Sequence, residues 1–101
     1  MRQQTKLIKN ILNHEFPDAN IKVQFRVATT YVNSSDKIIV TIKGANCDDV
    51  IATLVKYTKN ISVYRYGCIG SRWDTCNPAI LDIQTNTWID ADVCEFIEVH
   101  T

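Results

Sequence analysis

IKVQFRVATTYVNSSDKIIVTIKGANCDDVIATLVKY, residues 21–57, is the stretch that decides the fold. Apolar residues alternate with polar ones over its first seven positions, and this period of two is typical of a strand with one buried and one solvated face. Residues 37–43 repeat the alternation, and the NSSD segment before them is typical of a turn. We therefore predict a strand pair whose solvated face carries Lys22, Gln24 and Arg26.

A helix is predicted directly after this strand pair. Gly44 ends the second strand, and Asn46 or Cys47 is the expected N-cap. Asp48 and Asp49 then fall in the first helical turn, where carboxylates interact favourably with the helix dipole. Because the helix start explains these two acids, we do not interpret them as a catalytic pair.

The rest of the chain predicts one more helix and further strands. Residues 5–15 carry an apolar helical stripe that ends before Pro17, and residues 61–66 and 79–84 predict a third and a fourth strand. Residues 88–100 fit either a helix or a strand, and we favour a helical or irregular turn followed by a short last strand.

These elements predict one α+β domain over residues 1–101. Two helices pack on one face of a four- or five-stranded, mainly antiparallel sheet, in the order α-β-β-α-β-β with a short C-terminal element. The polar face of the sheet stays open. A composition of 46% hydrophobic and 22% charged residues is typical of a soluble globular protein, and no apolar run is long enough to span a membrane.

Charge is distributed unevenly along the chain although the net charge is zero. Residues 1–72 hold eleven Lys and Arg against five acids, a net charge of +6, whereas residues 73–101 hold six acids and no Lys or Arg, a net charge of −6. Such asymmetry marks a partner surface, or else the two parts lie side by side and neutralise each other.

Four cysteines are candidate zinc ligands: Cys47, Cys68, Cys76 and Cys94. Their number fits a four-thiolate site, but no pair has the C-x₂-C spacing of a zinc ribbon. If the four regions converge, zinc would hold the polar loop of residues 67–78 in place. The alternative is that some of these cysteines are small buried hydrophobic residues.

The sequence contains no catalytic motif, so we predict that the protein is not an enzyme. His14 and His100 are the two histidines, and neither is paired with a recognisable nucleophile motif.

Nucleic-acid binding is an alternative function, because the open sheet face would carry basic residues beside aromatic rings that can stack on bases. The basic candidates are Lys22, Arg26, Lys37, Lys43, Arg65 and Arg72, and the aromatic candidates are Tyr64, Tyr66 and Trp73.

Acidic and aromatic residues near the C-terminus form a candidate surface for a basic protein partner. The predicted partner-binding residues are Asp82, Trp88, Asp90, Asp92, Glu95 and Glu98, together with Arg72 and Trp73 from the loop. The alternative is an ordinary solvated face.

The order of motifs over residues 5–60 resembles a small domain attached to large polyvalent proteins of phages and mobile elements. It is carried by LIKNIL at 7–12, by Phe16-Pro17, by IKVQF at 21–25, by KIIVTI at 37–42 and by the helix at 48–57. That family has no catalytic residues to carry over. The chain departs from that family in the cysteine-bearing loop of residues 67–78 and in the acidic tail, which is the segment of residues 73–101 with a net charge of −6.

Small size, the lack of enzymatic motifs, the thiols and the acidic tail look like an anti-CRISPR inhibitor of a type II effector nuclease. The resemblance implies a non-enzymatic phage or mobile-element protein that acts in the cytoplasm of a bacterial host. Its partner would be a CRISPR effector nuclease or another nucleic-acid-handling protein. A nucleic-acid-binding accessory domain and a structural phage protein are the alternatives.

Overall fold

A computed structural model describes residues 2–26, 37–68, 77–91 and 96–101. The predicted α+β fold and its opening order α-β-β-α are confirmed. The elements are α1 (Gln3–Glu15), β1 (Asn20–Arg26), β2 (Lys37–Lys43), α2 (Cys47–Lys56), β3 (Thr58–Lys59), β4 (Ser62–Arg65), β5 (Ala79–Asp82), β6 (Thr87–Asp90) and β7 (Phe96–His100).

The larger sheet has four strands in the order β1-β2-β7-β4. β1 and β2 pair antiparallel, with Asn20 opposite Lys43 and Arg26 opposite Lys37. β7 runs parallel to both of its neighbours, β2 and β4. The short last strand predicted from the sequence is confirmed as β7. It lies between β2 and β4, two strands that come much earlier in the chain.

A second, smaller sheet has the order β3-β5-β6 and is antiparallel. The predicted helical or irregular turn from residue 88 is wrong for Trp88, Ile89 and Asp90, which belong to β6. The reason is pairing across a tight turn, in which Asn86 takes a left-handed φ of 57° and Ile89 lies opposite the buried Ile80. Residues 92–95 lie outside the described part.

Both helices and both sheets contribute to one core. α1 contacts β1 of the larger sheet and β5 of the smaller one. The helix-facing side of the central strands β2 and β7 is fully apolar. The fully buried side chains are Ile8, Ile11, Leu12, Ile38, Val40, Ile42, Val50, Leu54, Ile80, Ile97 and Val99.

The predicted start of α2 is confirmed. The Asn46 Oδ1 atom accepts a hydrogen bond of 2.8 Å from the Asp48 backbone N–H, as an N-cap does. Neither described helix is long and apolar enough to cross a membrane.

Candidate functional site

The side of the larger sheet that points away from the helices is called the open face here. Strand register places alternate residues of all four strands on it. In the described part of the chain, the helices pack on the opposite face and no further helix or strand covers this one. The open face consists of Asn20, Lys22, Gln24, Arg26, Lys37, Ile39, Thr41, Lys43, Ser62, Tyr64, Phe96, Glu98 and His100, with Tyr66 directly after β4.

A buried carboxylate lies at the centre of the open face. Glu98 is 7% exposed, and three side chains from three strands bind it. The Lys37 Nζ atom lies 2.8 Å from Oε2, the Tyr64 hydroxyl donates to the same oxygen at 3.1 Å, and His100 Nε2 lies 2.7 Å from Oε1. Both carboxylate oxygens are therefore satisfied, as a buried charge requires.

These contacts change the pKa values of Glu98 and Tyr64. Burial alone would raise the pKa of Glu98, but the hydrogen bonds from Lys37, His100 and Tyr64 and the charge of Lys37 together lower it. Burial, the hydrogen bond to Glu98 and the charge of that carboxylate raise the pKa of Tyr64 to about 12. At neutral pH Glu98 is thus a carboxylate and Tyr64 a neutral donor.

Aromatic rings occupy the β4–β7 side of the open face. The Tyr64 and Phe96 rings meet edge to face, with centroids 6.3 Å apart. The Tyr66 and His100 rings are stacked, with centroids 4.2 Å apart and planes inclined by 25°. Tyr66 is 64% exposed, so a large part of an aromatic surface is available to a ligand.

Exposed cations occupy the β1–β2 side of the same face. Lys22, Arg26 and Lys43 are exposed, and none of them forms an ion pair within the residues that the structure describes. Lys37 is the fourth cation of the face, and its charge is balanced by Glu98. Cations and aromatic rings therefore lie side by side on one sheet.

Two further basic residues were predicted for this face. Arg65 lies opposite Val99, on the helix-covered side, and its Nη2 atom binds Asp48 Oδ1 at 2.9 Å. A hydrogen bond to Cys47 and the charge of Asp48 raise the pKa of Arg65. Arg72 falls outside the described residues.

The predicted acidic partner surface is divided between two sheets. Trp88 and Asp90 lie with Leu81 on the outer face of the smaller sheet, whereas Glu98 belongs to the open face of the larger one. Asp82 lies on the other side of the smaller sheet from Trp88, and its Oδ1 atom accepts the Gln84 backbone N–H at 2.9 Å.

Trp88 itself is 41% exposed, and the Lys59 Nζ atom lies 4.1 Å from the centre of its ring. The other four predicted partner-binding residues lie outside the described part of the chain: Asp92, Glu95, Arg72 and Trp73.

The predicted zinc ligands are described in part. Cys47 is buried at the start of α2 and Cys68 is exposed, and both are free thiols. Within residues 2–26, 37–68, 77–91 and 96–101, no group of three or more His, Cys, Asp and Glu residues could hold a metal ion. Cys76 and Cys94 lie outside these ranges, so the zinc site stays a prediction.

The network around Glu98 was not predicted from the sequence. A signal was present, because the segment FIEVH at 96–100 alternates and so places Phe96, Glu98 and His100 on one face. The partners Lys37 and Tyr64 depend on the position of β7 between β2 and β4, which alternation does not reveal. No protein-family model, no curated protein and no solved structure matches the chain.

Proposed function

We propose that the open face binds single-stranded nucleic acid, without catalysis. The observation that carries the proposal is that one sheet face, on which no helix or strand of the described residues packs, presents exposed cations on its β1–β2 side and aromatic rings on its β4–β7 side. Proteins that bind single strands combine a basic surface for the backbone with aromatic side chains for the bases. Four-stranded sheets with aromatic residues on the open face are a recurrent way of binding single-stranded RNA.

The size of the face limits the ligand. Neighbouring strands lie about 4.8 Å apart, so four strands span about 14 Å between the axes of the outer two. Sheets of this width stack about two or three bases. We therefore expect a binding site of a few nucleotides.

Electrostatics assign the two sides of the face to different parts of the ligand. Glu98 balances Lys37, so among the described residues of this face the positive charge without an ion pair lies with Lys22, Arg26 and Lys43. These three side chains would contact phosphates, while bases would lie toward the rings of β4 and β7. For a single strand, each phosphate contact contributes about 0.7 to the slope of log K against log salt concentration, so three contacts give a slope of about −2.

The proposal is tested by fluorescence anisotropy with labelled single-stranded RNA and DNA of about eight nucleotides over a series of salt concentrations. The variant Lys22→Gln/Arg26→Gln/Lys43→Gln should bind more weakly, with a salt slope shallower by about 2. A matched control, Lys6→Gln/Lys56→Gln/Lys59→Gln, removes three exposed lysines elsewhere and changes the net charge equally.

The two triple variants separate a site from a general charge effect. Equal weakening by both would mean that net charge alone attracts the nucleic acid, and the open face would lose its role. Absence of any binding to RNA or DNA at low salt would overturn the proposed function.

A second proposal is that the protein inhibits a host defence protein of a bacterial cytoplasm, of the class of type II CRISPR effector nucleases. It is favoured by Trp88, which remains 41% exposed beside Asp90 on the outer face of the smaller sheet. An exposed tryptophan with a carboxylate beside it suits a basic protein surface. Glu98 is left out of this surface, since its charge is already balanced within the open face.

This second proposal is tested by a pull-down of the purified nuclease with and without guide RNA, followed by a DNA-cleavage assay. Trp88→Ala/Asp90→Asn should release the nuclease and restore cleavage. The matched pair Tyr66→Ala/Lys22→Ala, on the open face, should not. No binding to any of several such nucleases would remove the inhibitor proposal.

Zinc binding by Cys47, Cys68, Cys76 and Cys94 is proposed as a stabilising element for the loop between β4 and β5. Metal analysis of protein purified without a metal-binding tag tests it, and about one zinc per chain is expected. A zinc content far below one per chain would contradict the zinc proposal.

A further inference from the structure

A cavity of about 190 Å³ lies beside the stacked rings of Tyr66 and His100. Its lining residues come from the carboxyl ends of the parallel strands β4 and β7 and the residues that follow them: Arg65, Tyr66, Val99, His100 and Thr101. We propose, resting on the nucleic-acid function above, that this cavity holds one nucleobase of the bound strand and that Tyr66 is its stacking platform.

The volume fits a single base. A cavity of about 150 Å³ in a protein interior accommodates a benzene molecule, so about 190 Å³ provides space for one heteroaromatic ring system and for little more. The cavity is partly open to solvent, and one of the two strands that line it, β4, is the last strand of the larger sheet. A base can therefore enter while its sugar and phosphate remain outside.

Tyr66 is held in place for stacking. One face of its ring rests on His100, and His100 is fixed by its 2.7 Å contact with Glu98. The Tyr66 backbone N–H donates to the Val99 carbonyl at 2.9 Å, which fixes the main chain. Since the residue is nevertheless 64% exposed, a base can continue the stack without first ordering the tyrosine.

Charge in the cavity favours a neutral base over a phosphate. Arg65 brings a permanent positive charge to the lining of the cavity, and Asp48 balances that charge at 2.9 Å. The guanidinium has five N–H groups, so donors remain for hydrogen bonds to the edge of a base. The cavity thus offers stacking and hydrogen bonds. The cations of the open face that form no ion pair with another described residue, Lys22, Arg26 and Lys43, lie at its β1–β2 side.

The test is a double-mutant cycle between protein and ligand. A single-stranded RNA of about eight nucleotides is prepared intact and as a series with one abasic nucleotide at each position, and dissociation constants are measured for the wild type and for Tyr66→Leu. Leucine retains apolar bulk without a ring, and Tyr66→Phe restores the ring without the hydroxyl.

We expect one abasic position to weaken binding by the wild type at least about fivefold, the lower limit of what one base–aromatic stack contributes. The same abasic position should have no further effect on Tyr66→Leu, because the stack is already absent. Tyr66→Phe should recover the wild-type pattern. Trp88→Ala, which removes an exposed ring from the smaller sheet, should leave the pattern unchanged.

The outcomes distinguish this inference from the function on which it rests. If the wild type binds the intact RNA but no abasic position couples to residue 66, the base site is overturned and the binding function stands. If the wild type does not bind the intact RNA at all, the nucleic-acid function fails first. A thermal unfolding curve of Tyr66→Leu close to that of the wild type confirms that lost coupling is not lost folding.

Discussion

The two faces of the larger sheet are made by the same strands and follow different rules. In β7, Ile97 and Val99 are fully buried against the helices, whereas Phe96, Glu98 and His100 alternate with them on the open face. On the helix side of β7, the buried side chains are both apolar, Ile97 and Val99. Burial on the open side includes a carboxylate, which three partners must satisfy. The comparison shows that one face supplies stability while the other is arranged around charge and aromatic rings.

Truncation on the helix side should have the largest effect on stability. Ile97 lies in β7, one of the two central strands, which packs against α2 and pairs with β2, and its side chain is fully buried in the core. Ile97→Ala should lower the free energy of unfolding by about 2–5 kcal/mol, because a cavity remains in a core that cannot close completely. Urea unfolding at pH 7 measures it.

Ile39→Ala is the matched substitution on the open face. Ile39 is also buried, at 7% exposure, but it lies outside the core cluster. Its truncation should cost clearly less than that of Ile97. Equal costs would mean that the open face is packed like the core, and the contrast between the two faces would fail.

The helix-covered face could be predicted from the sequence almost completely. Alternation in residues 37–43 placed Ile38, Val40 and Ile42 on one side, and the structure confirms it. The solvated positions Lys22, Gln24 and Arg26 were also correct. These are local patterns, and the hydrophobic effect decides them residue by residue.

The open face could be predicted only in part, because its site is assembled by topology. Lys37 and Glu98 are 61 residues apart and meet because β7 inserts beside β2 in parallel. Parallel pairing of distant strands depends on how the whole chain packs. The alternating pattern of one strand does not indicate which strand pairs with it. For the same reason the separation of Glu98 from Trp88 was not visible in the sequence.

Glu98→Gln should have the second largest effect, a loss of about 1–3 kcal/mol at pH 7, since it leaves Lys37 and His100 without the charge that they bind. The pKa of Glu98 is lowered in the folded protein, so its stabilisation is present above the ordinary glutamate pKa of about 4.3 and is lost as the pH falls through the lowered value. The difference between wild type and variant should therefore shrink from pH 7 to pH 3.

Asp18→Asn is the control for that pH series, because Asp18 is an exposed carboxylate outside the open face. Its effect should stay within about 0.5 kcal/mol at every pH. A Glu98→Gln difference that remains constant down to pH 3 would show that the carboxylate's charge is not what stabilises the face.

Tyr64→Phe should cost about 1 kcal/mol, because it removes the hydroxyl that donates to Glu98 at 3.1 Å while the ring that contacts Phe96 remains. The pKa of Tyr64 is raised to about 12, so this residue should stay un-ionised at pH 11, where an ordinary tyrosine is mostly ionised. Ultraviolet titration of wild type against variant measures it. A difference spectrum with a midpoint near 10 would place the hydroxyl in solvent, away from the carboxylate.

Lys22→Gln/Lys43→Gln should have the smallest effect on stability and the most informative one on function. Both side chains are exposed and lack ion pairs within the described residues, so the free energy of unfolding should change by no more than about 0.5 kcal/mol. Affinity for a single-stranded oligonucleotide should nevertheless fall, with a salt slope shallower by about 1.4 for two lost phosphate contacts. A stability change without an affinity change would reverse the assignment, because these lysines would then serve the fold, and the two faces of the sheet would differ in composition but not in role.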